Sequence, residues 1–270
     1  MELSVVVAFV LGVLQGVLEW LPVSSEGNVS LVLTLLGEDP VVATKLALFL
    51  HLGTGIAALA YYRDDVRDLL YDVPEWRPST WFDAESADLS FIVLATLASG
   101  IVGVVVYGAL EAVVTGTTTN GFVVIVAVLL LLTGLLQKFA AGFMAERETP
   151  TALDAVLVGA GQGLALLPGV SRSGTTVSIL LLRGYDENAA LRLSFVLAIP
   201  ASVAAAGLTL VTDGLIVAGV LPTLVMVAAA ATVGYLTIDA LTRLVDRVAF
   251  WLVCVAFALL MLAGVFFLSG

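Results

Sequence analysis

The sequence predicts an all-α polytopic membrane protein with six full transmembrane helices and two re-entrant helical hairpins, related as an inverted-topology repeat. Three observations predict it. First, hydrophobic residues make up 60% and charged residues 12% of the chain, with a mean hydropathy of +1.11. A soluble domain is about 45–50% apolar and about 25% charged. This chain has too little charge to coat a water-facing surface, which excludes a soluble enzyme, a nucleic-acid binder and a disordered chain. Second, the apolar runs are long and continuous, as in Phe91–Leu110, Phe122–Leu136 and Phe250–Leu268. Barrel strands would alternate polar and apolar over ~10 residues. Third, the chain resembles itself at a shift of 147 positions.

The elements follow in chain order. The start, Met1-Glu2-Leu3, lacks the basic flank of a secretory signal, so the first apolar stretch is expected to stay in the mature protein. That stretch, 3–36, is interrupted by Leu21-Pro22-Val23-Ser24-Ser25-Glu26-Gly27-Asn28. Its two arms are each too short to cross a bilayer, which takes about 20 residues. Full spans are expected at about 42–62, 89–110 and 118–141, with an acidic loop over Arg63–Asp88 after the first. The region 152–183 is broken again, by Pro168-Gly169-Val170-Ser171-Arg172-Ser173-Gly174. Spans at about 189–211, 215–237 and 248–269 complete the chain. Irregular backbone at membrane depth survives only where protein or a wet cavity satisfies it, so each broken region reads as a re-entrant hairpin. Cys254 stands alone in an apolar run and reads as a packed thiol.

At the shift of 147, Gly12 falls on Gly159, Gln15 on Gln162, Gly16 on Gly163, Ser24 on Ser171, Gly27 on Gly174 and Asp39 on Asp186. The chain therefore divides into a first repeat, 1–145, and a second, 146–270, within one integral membrane domain. Each has one hairpin and three spans. An odd number of crossings inverts the second repeat. Arg63, Arg67, Arg77, Lys138, Arg147, Arg183, Arg192, Arg243 and Arg247 collect on one face, against Lys45 on the other. The positive-inside rule makes the richer face cytoplasmic and puts both termini and the first hairpin's mouth outside. The net charge of −11, with acids crowded into loops, suits a halophile, because high salt screens self-repulsion.

Polar groups inside lipid are costly and point to function. The first break offers Gln15, Glu19, Ser24, Ser25, Glu26 and Asn28; the second offers Ser171, Arg172, Ser173, Thr175 and Thr176. Gln15 and Glu19 are four residues apart and share a helix face. Arg172 sits among hydroxyls, with Gly174 at the start of a half-helix. A helix N-terminus attracts anions, and a guanidinium fork fits phosphate oxygens, so this run reads as a phosphate cradle. Arg172 also reads as an ion-pair partner for Glu19 or Glu26. Thr176 reads equally as a residue bonded to backbone, and His51, in mid-span, as packing.

The stretch Gln-Gly-Val-Leu-Glu-Trp-Leu-Pro-Val-Ser-Ser-Glu-Gly (15–27) resembles the first motif of the undecaprenyl-diphosphate phosphatases, the BacA-type family. Leu-Pro-Gly-Val-Ser-Arg-Ser-Gly-Thr-Thr (167–176) resembles its second motif, and His-Leu-Gly-Thr (51–54) fits its third helix. The resemblance covers essentially the whole chain. It implies removal of phosphate from a polyprenyl diphosphate at the outer face of the cell membrane, which recycles a lipid carrier for envelope glycans. It implies dependence on a divalent cation, Mg2+ or Ca2+. By position, Glu19, Ser25, Arg172 and Glu26 become catalytic candidates, and Glu19, Gln15 and Glu26 metal ligands. Gln15, Ser24, Asn28, Ser171, Ser173, Gly174, Thr175, Thr176 and His51 become substrate contacts. The family reads Ser-Ser-Thr/Ser-Gly-His where this chain has Glu26 and Asn28. The expected partners are the lipid diphosphate, the bilayer and a second copy of the chain, with no nucleic acid. The acidic loops suggest a haloarchaeal member, whose carrier would be dolichol-like. The residues also admit a transporter or flippase of a phosphorylated polyprenyl lipid, or more weakly an anion channel.

Overall fold

The helices follow the apolar runs. The computed structural model describes residues 4–83, 85–115, 117–143, 146–213, 219–245 and 248–268. The N-terminal charge reading, Arg247 and the expected start of the fifth span at 215 therefore lie outside the described residues. Eleven α-helices are described: α1 (Val5–Leu18), α2 (Ser25–Leu35), α3 (Pro40–Tyr61), α4 (Arg63–Asp72), α5 (Ala87–Val114), α6 (Thr119–Ala140), α7 (Ala152–Leu164), α8 (Arg172–Leu182), α9 (Glu187–Asp213), α10 (Val220–Val245) and α11 (Phe250–Leu268). Six of them, α3, α5, α6, α9, α10 and α11, are long and apolar enough to cross a membrane. The chain is a polytopic, all-helical membrane protein.

Local chemistry sets the ends. Asp39 accepts from Val41 N–H at 2.9 Å and caps α3, with Pro40 in the first turn. Thr151 and Asp154 form a reciprocal capping box at α7. Two expectations shift. The fifth span ends at Val245 rather than 237, and its described part, Val220–Val245, is entered through Gly219 at φ +78°. The acidic loop is not irregular throughout: its first part is α4, which buries no residue, and Arg63 and Arg67 both lie within 4 Å of Asp64. Charge pairing on a surface helix replaces the burial that would have made it legible.

The two short helix pairs, α1–α2 and α7–α8, are each held by a long helix from the other half of the chain. α1 packs along α10, and α7 along α5. Both seams are made by glycines. A Cβ on Gly12 would strike the Met226 carbonyl oxygen, and one on Gly16 would lie 2.8 Å from Gly234 N. At the positions 147 further on, a Cβ on Gly159 would strike the Ala95 carbonyl oxygen, and one on Gly163 would lie 2.9 Å from Ser99 O. Small residues let backbones approach in lipid, where no hydrophobic drive brings helices together.

Between the arms the backbone leaves the helix and is pinned from several sides. Ser24 lies at φ +62°, a left-handed conformation costly for a non-glycine residue. Its Oγ accepts from Gly27 N–H and from Gly169 N–H, both at 3.2 Å, so one hydroxyl ties the two breaks together. Pro22 O accepts from Gln137 Nε2 at 2.7 Å and from the buried Cys254 thiol at 3.0 Å.

Candidate active site

The tie between the breaks brings the C-terminus of α1, the N-terminus of α2 and the N-terminus of α8 to one point. Glu19, the C-cap of α1, is the hub. Its Oε1 accepts from Arg172 Nη2 at 2.5 Å. Its Oε2 accepts from Gln15 Nε2 at 2.8 Å and from Ser25 Oγ at 2.7 Å, and His51 Nε2 lies 3.4 Å away. The expected Gln15–Glu19 face is thus an actual hydrogen bond. Of the two ion-pair partners open to Arg172 in the sequence, Glu19 and Glu26, it takes Glu19. The guanidinium also donates to Ser194 O at 3.4 Å and faces the Phe195 ring at 5.9 Å. A carboxylate buried in this way is tolerated because Arg172, Gln15 and Ser25 all donate to it.

Other candidates divide by what they touch. Ser171 caps α8, accepting Gly174 N–H at 3.2 Å, and its Oγ lies 3.5 Å from Ser173 Oγ. Glu26 is 4% exposed, and its Oε1 has no hydrogen-bond partner. Glu26 is therefore held inside the protein and not in solvent. Asn28 turns inward on the chain, donating to Val23 O at 2.9 Å and Ser24 O at 2.8 Å, and so holds the break's shape. Thr176 donates to Arg172 O at 2.9 Å and meets Ser194 Oγ at 2.6 Å, the backbone-bonding alternative. Thr175 is buried, and its methyl would lie 3.1 Å from a Cβ on Gly161.

Glu19, Ser24, Ser25, Glu26, His51, Ser171, Arg172 and Ser173 line one small polar cavity of about 10 Å³, room for a single water. Glu26, His51, Ala165 and Arg172 also line a second cavity, of about 410 Å³. That one is walled by α5 and α9 residues such as Gly100, Gly103, Val104, Gly207 and Leu208. Polar site and apolar groove meet along this shared rim.

Two features were not singled out as sites in the sequence. One is the buried Asp154, which accepts from Arg147 Nη2 at 2.6 Å, Arg183 Nε at 2.6 Å and Tyr185 Oη at 2.8 Å. The other is a polar patch in the groove, Thr96, Ser99 and Gln162, whose signal was the register of Gln162 on Gln15.

These features define an integral membrane protein with a buried polar site opening on a lipid-sized groove. The chain belongs to the BacA family: the family described as bacitracin resistance protein BacA matches residues 8–263. It is 53% identical over 262 residues to an undecaprenyl-diphosphatase of Haloarcula marismortui, covering 96% of this chain and 97% of that one. It is 36% identical over 257 residues to an undecaprenyl-diphosphatase of Methanothrix thermoacetophila, covering 95% of each. It is 34% identical over 264 residues to one from Pyrobaculum aerophilum, covering 96% of each.

Proposed function

We propose that the chain hydrolyses a polyprenyl diphosphate to its monophosphate. The observation that carries this is the junction of the polar cavity with the apolar groove along Glu26, His51 and Arg172. A diphosphate head and an isoprenoid tail need such a pair of environments side by side. The names of the relatives agree with it, and nothing in the site favours the transporter or the channel.

Arg172 and the N-terminus of α8 hold the terminal phosphate, the guanidinium by charge-assisted bonds and the helix by its free N–H groups. Ser25 Oγ, already donating to Glu19 Oε2, gives up its proton there and attacks the terminal phosphorus. The bond from phosphorus to the bridging oxygen breaks, and the monophosphate lipid leaves. Water then cleaves the phosphoserine, releasing phosphate. Direct attack by water, with Glu19 as base, is the competing route.

A divalent cation, Mg2+ or Ca2+, fits the donor set. Gln15 Oε1 and Glu26 Oε1 are buried oxygens without partners, and hard cations take oxygen ligands. Among the described residues there is no group of three or more His, Cys, Asp or Glu suited to a metal, so phosphate oxygens would complete its shell. Gln15, Glu26 and Glu19 would hold it, and bound there it would neutralise charge on the phosphoryl oxygens. Glu26→Gln is expected to weaken the dependence of hydrolysis on added cation at least several-fold; an unchanged cation titration would remove Glu26 from this role.

The same reading includes two inverted repeats, 1–145 and 146–270, with α1–α2 and α7–α8 as hairpins entering from opposite faces. The glycine seams at positions 147 apart support it. It also includes a cell-membrane location with the site and both termini facing outward, a dolichol-like carrier, and a homodimer, which a mass measurement in detergent tests. Cysteine labels at Thr117 should react from outside intact cells, and labels at Ser79 and Asn188 only after permeabilisation. The hydrolysis itself is tested by phosphate release from a polyprenyl diphosphate by purified protein, with and without EDTA. No release with any divalent cation would overturn the reading.

A further inference from the structure

The groove that opens from the polar cavity is mostly apolar: beyond the rim residues Glu26, His51 and Arg172, its polar lining is Ser202 on α9 and one group of three. That group is Thr96 and Ser99, three residues apart on α5, and Gln162 on α7. Gln162 is one helical turn from Ala165, which lies on the wall shared by the two cavities, so the patch adjoins the rim where Arg172 and Glu26 stand. Gln162 is 4% exposed and donates to Ser99 Oγ at 3.3 Å. Its Oε1 has no partner, and neither has Thr96 Oγ1. Buried polar atoms without partners are costly, and a native protein keeps few of them. Two together, in residues that line the cavity, can each be satisfied by a ligand there once the side chains turn toward it.

We infer that Thr96, Ser99 and Gln162 form the subsite for the inner phosphate, the one that stays on the lipid. The inference rests on the hydrolase reading of the adjoining site. With the terminal phosphate at Arg172 and the tail in the groove, the inner phosphate lies at the junction of the two. The three side chains supply what a phosphate needs. Thr96 has a free hydroxyl, and Ser99, whose oxygen accepts from Gln162, keeps its own proton to donate. Turning the Gln162 amide over is the alternative: Oε1 then accepts the Ser99 proton, which is no longer available to phosphate, and the two Gln162 N–H groups become free to turn to the cavity instead.

The donors are neutral, and that matters for turnover. Hydrogen bonds with one charged partner are weaker when the other is neutral than when both are ionised. The terminal phosphate is gripped by a guanidinium and then cut off. The inner phosphate leaves with the product, and amide and hydroxyl donors hold it firmly enough to orient the diphosphate without trapping the monophosphate.

The test is direct binding of geranylgeranyl monophosphate to the full chain in detergent, alongside phosphate release from geranylgeranyl diphosphate. Gln162→Leu and Thr96→Val are each expected to weaken monophosphate binding about tenfold, the loss of one hydrogen bond to a charged group. Binding of inorganic phosphate at Arg172 should stay at the wild-type level. Thermal stability should hold or rise, because an apolar side chain replaces an unpartnered polar one. If the patch only orders water within the bundle, stability falls and monophosphate affinity does not, which overturns the inference. Equal affinity in wild type and both variants overturns it as well, as does a wild type that binds no monophosphate. Failure of the hydrolase reading is read separately: the wild type then releases no phosphate, while the binding comparison still decides the subsite.

Discussion

Arg172 is the residue on which the site turns, because it has two possible partners and only one guanidinium. At rest it is spent on Glu19 at 2.5 Å, in a cavity of about 10 Å³. On the proposed function, phosphate exchanges for a carboxylate already in place, and the planar fork allows the guanidinium to meet both as the exchange proceeds. Arg172→Lys keeps the charge, so the bundle should fold, but a point charge cannot span two oxygens. We expect kcat to fall roughly 100-fold, the upper range for a lost charged hydrogen bond, with thermal stability nearly unchanged. Near-wild-type kcat would make Arg172 a structural ion pair only. Part of this was legible beforehand. The four-residue spacing of Gln15 and Glu19 determined their contact, since a helix face is regular. The directions of Glu26 and Asn28 were not legible, because both follow Ser24, whose left-handed backbone no local rule anticipates.

Among the elements, α7 and α8 form the pair most firmly closed at its open end. Asp154 joins the start of α7 to Arg183 at the end of α8 and to Tyr185 beyond it, while Arg147 reaches in from the preceding loop. Burial pushes the Asp154 carboxyl up, but hydrogen bonds from Thr151, Arg183 and Tyr185 outweigh it and hold the group below its ordinary value of 3.8. A depressed carboxylate adds stability that is complete above its unfolded value and is lost as pH falls through the folded one. The difference in melting temperature between wild type and Asp154→Asn should therefore be constant from about pH 5 to 7 and shrink below about pH 4. A constant difference down to pH 3 would mean that the clasp is not ionic. The groove between α5 and α9 carries a second expectation. A Cβ on Gly207 meets nothing within 4 Å, and the helix gains propensity when the glycine is replaced. Gly207→Leu should fold at least as well as wild type and raise KM for a long-chain diphosphate several-fold, with little change for a diphosphate of one isoprene unit. Equal KM changes for both would place the tail elsewhere. That groove was invisible in the sequence, since its width depends on two helices far apart in the chain.

In the whole molecule, the six long apolar helices were legible from hydropathy, and the glycine positions of both seams from the register at a shift of 147. How the halves interlock was not, because a 147-residue shift says which positions correspond and not which ones touch. The helices touch crosswise: α1 lies on α10, and α7 on α5. Fragments 1–145 and 146–270 made separately should each be protease-sensitive in membranes. Made together, they should recover protection and phosphate release, with Gly159→Leu in the second fragment blocking recovery. Recovery by either fragment alone would contradict the crosswise seam.

The crosswise seam also bears on how the chain is made. α7 emerges from the ribosome after its seat, α5, is already in the bilayer. α1 emerges first, and its seat begins at Val220, about 200 residues later. At about 5–20 residues per second, the first arm waits on the order of 10–40 s for its partner. For much of that interval Glu19 also lacks Arg172, which lies in the later half. A nascent chain stalled before α8 carries Glu19 without its guanidinium, and one stalled before α10 carries α1 without its seat, so either presents an unfinished segment to quality control. The insertion machinery must therefore shelter the first hairpin until the fifth span arrives, and slow synthesis through the middle of the chain should cost yield more than slow synthesis near its end.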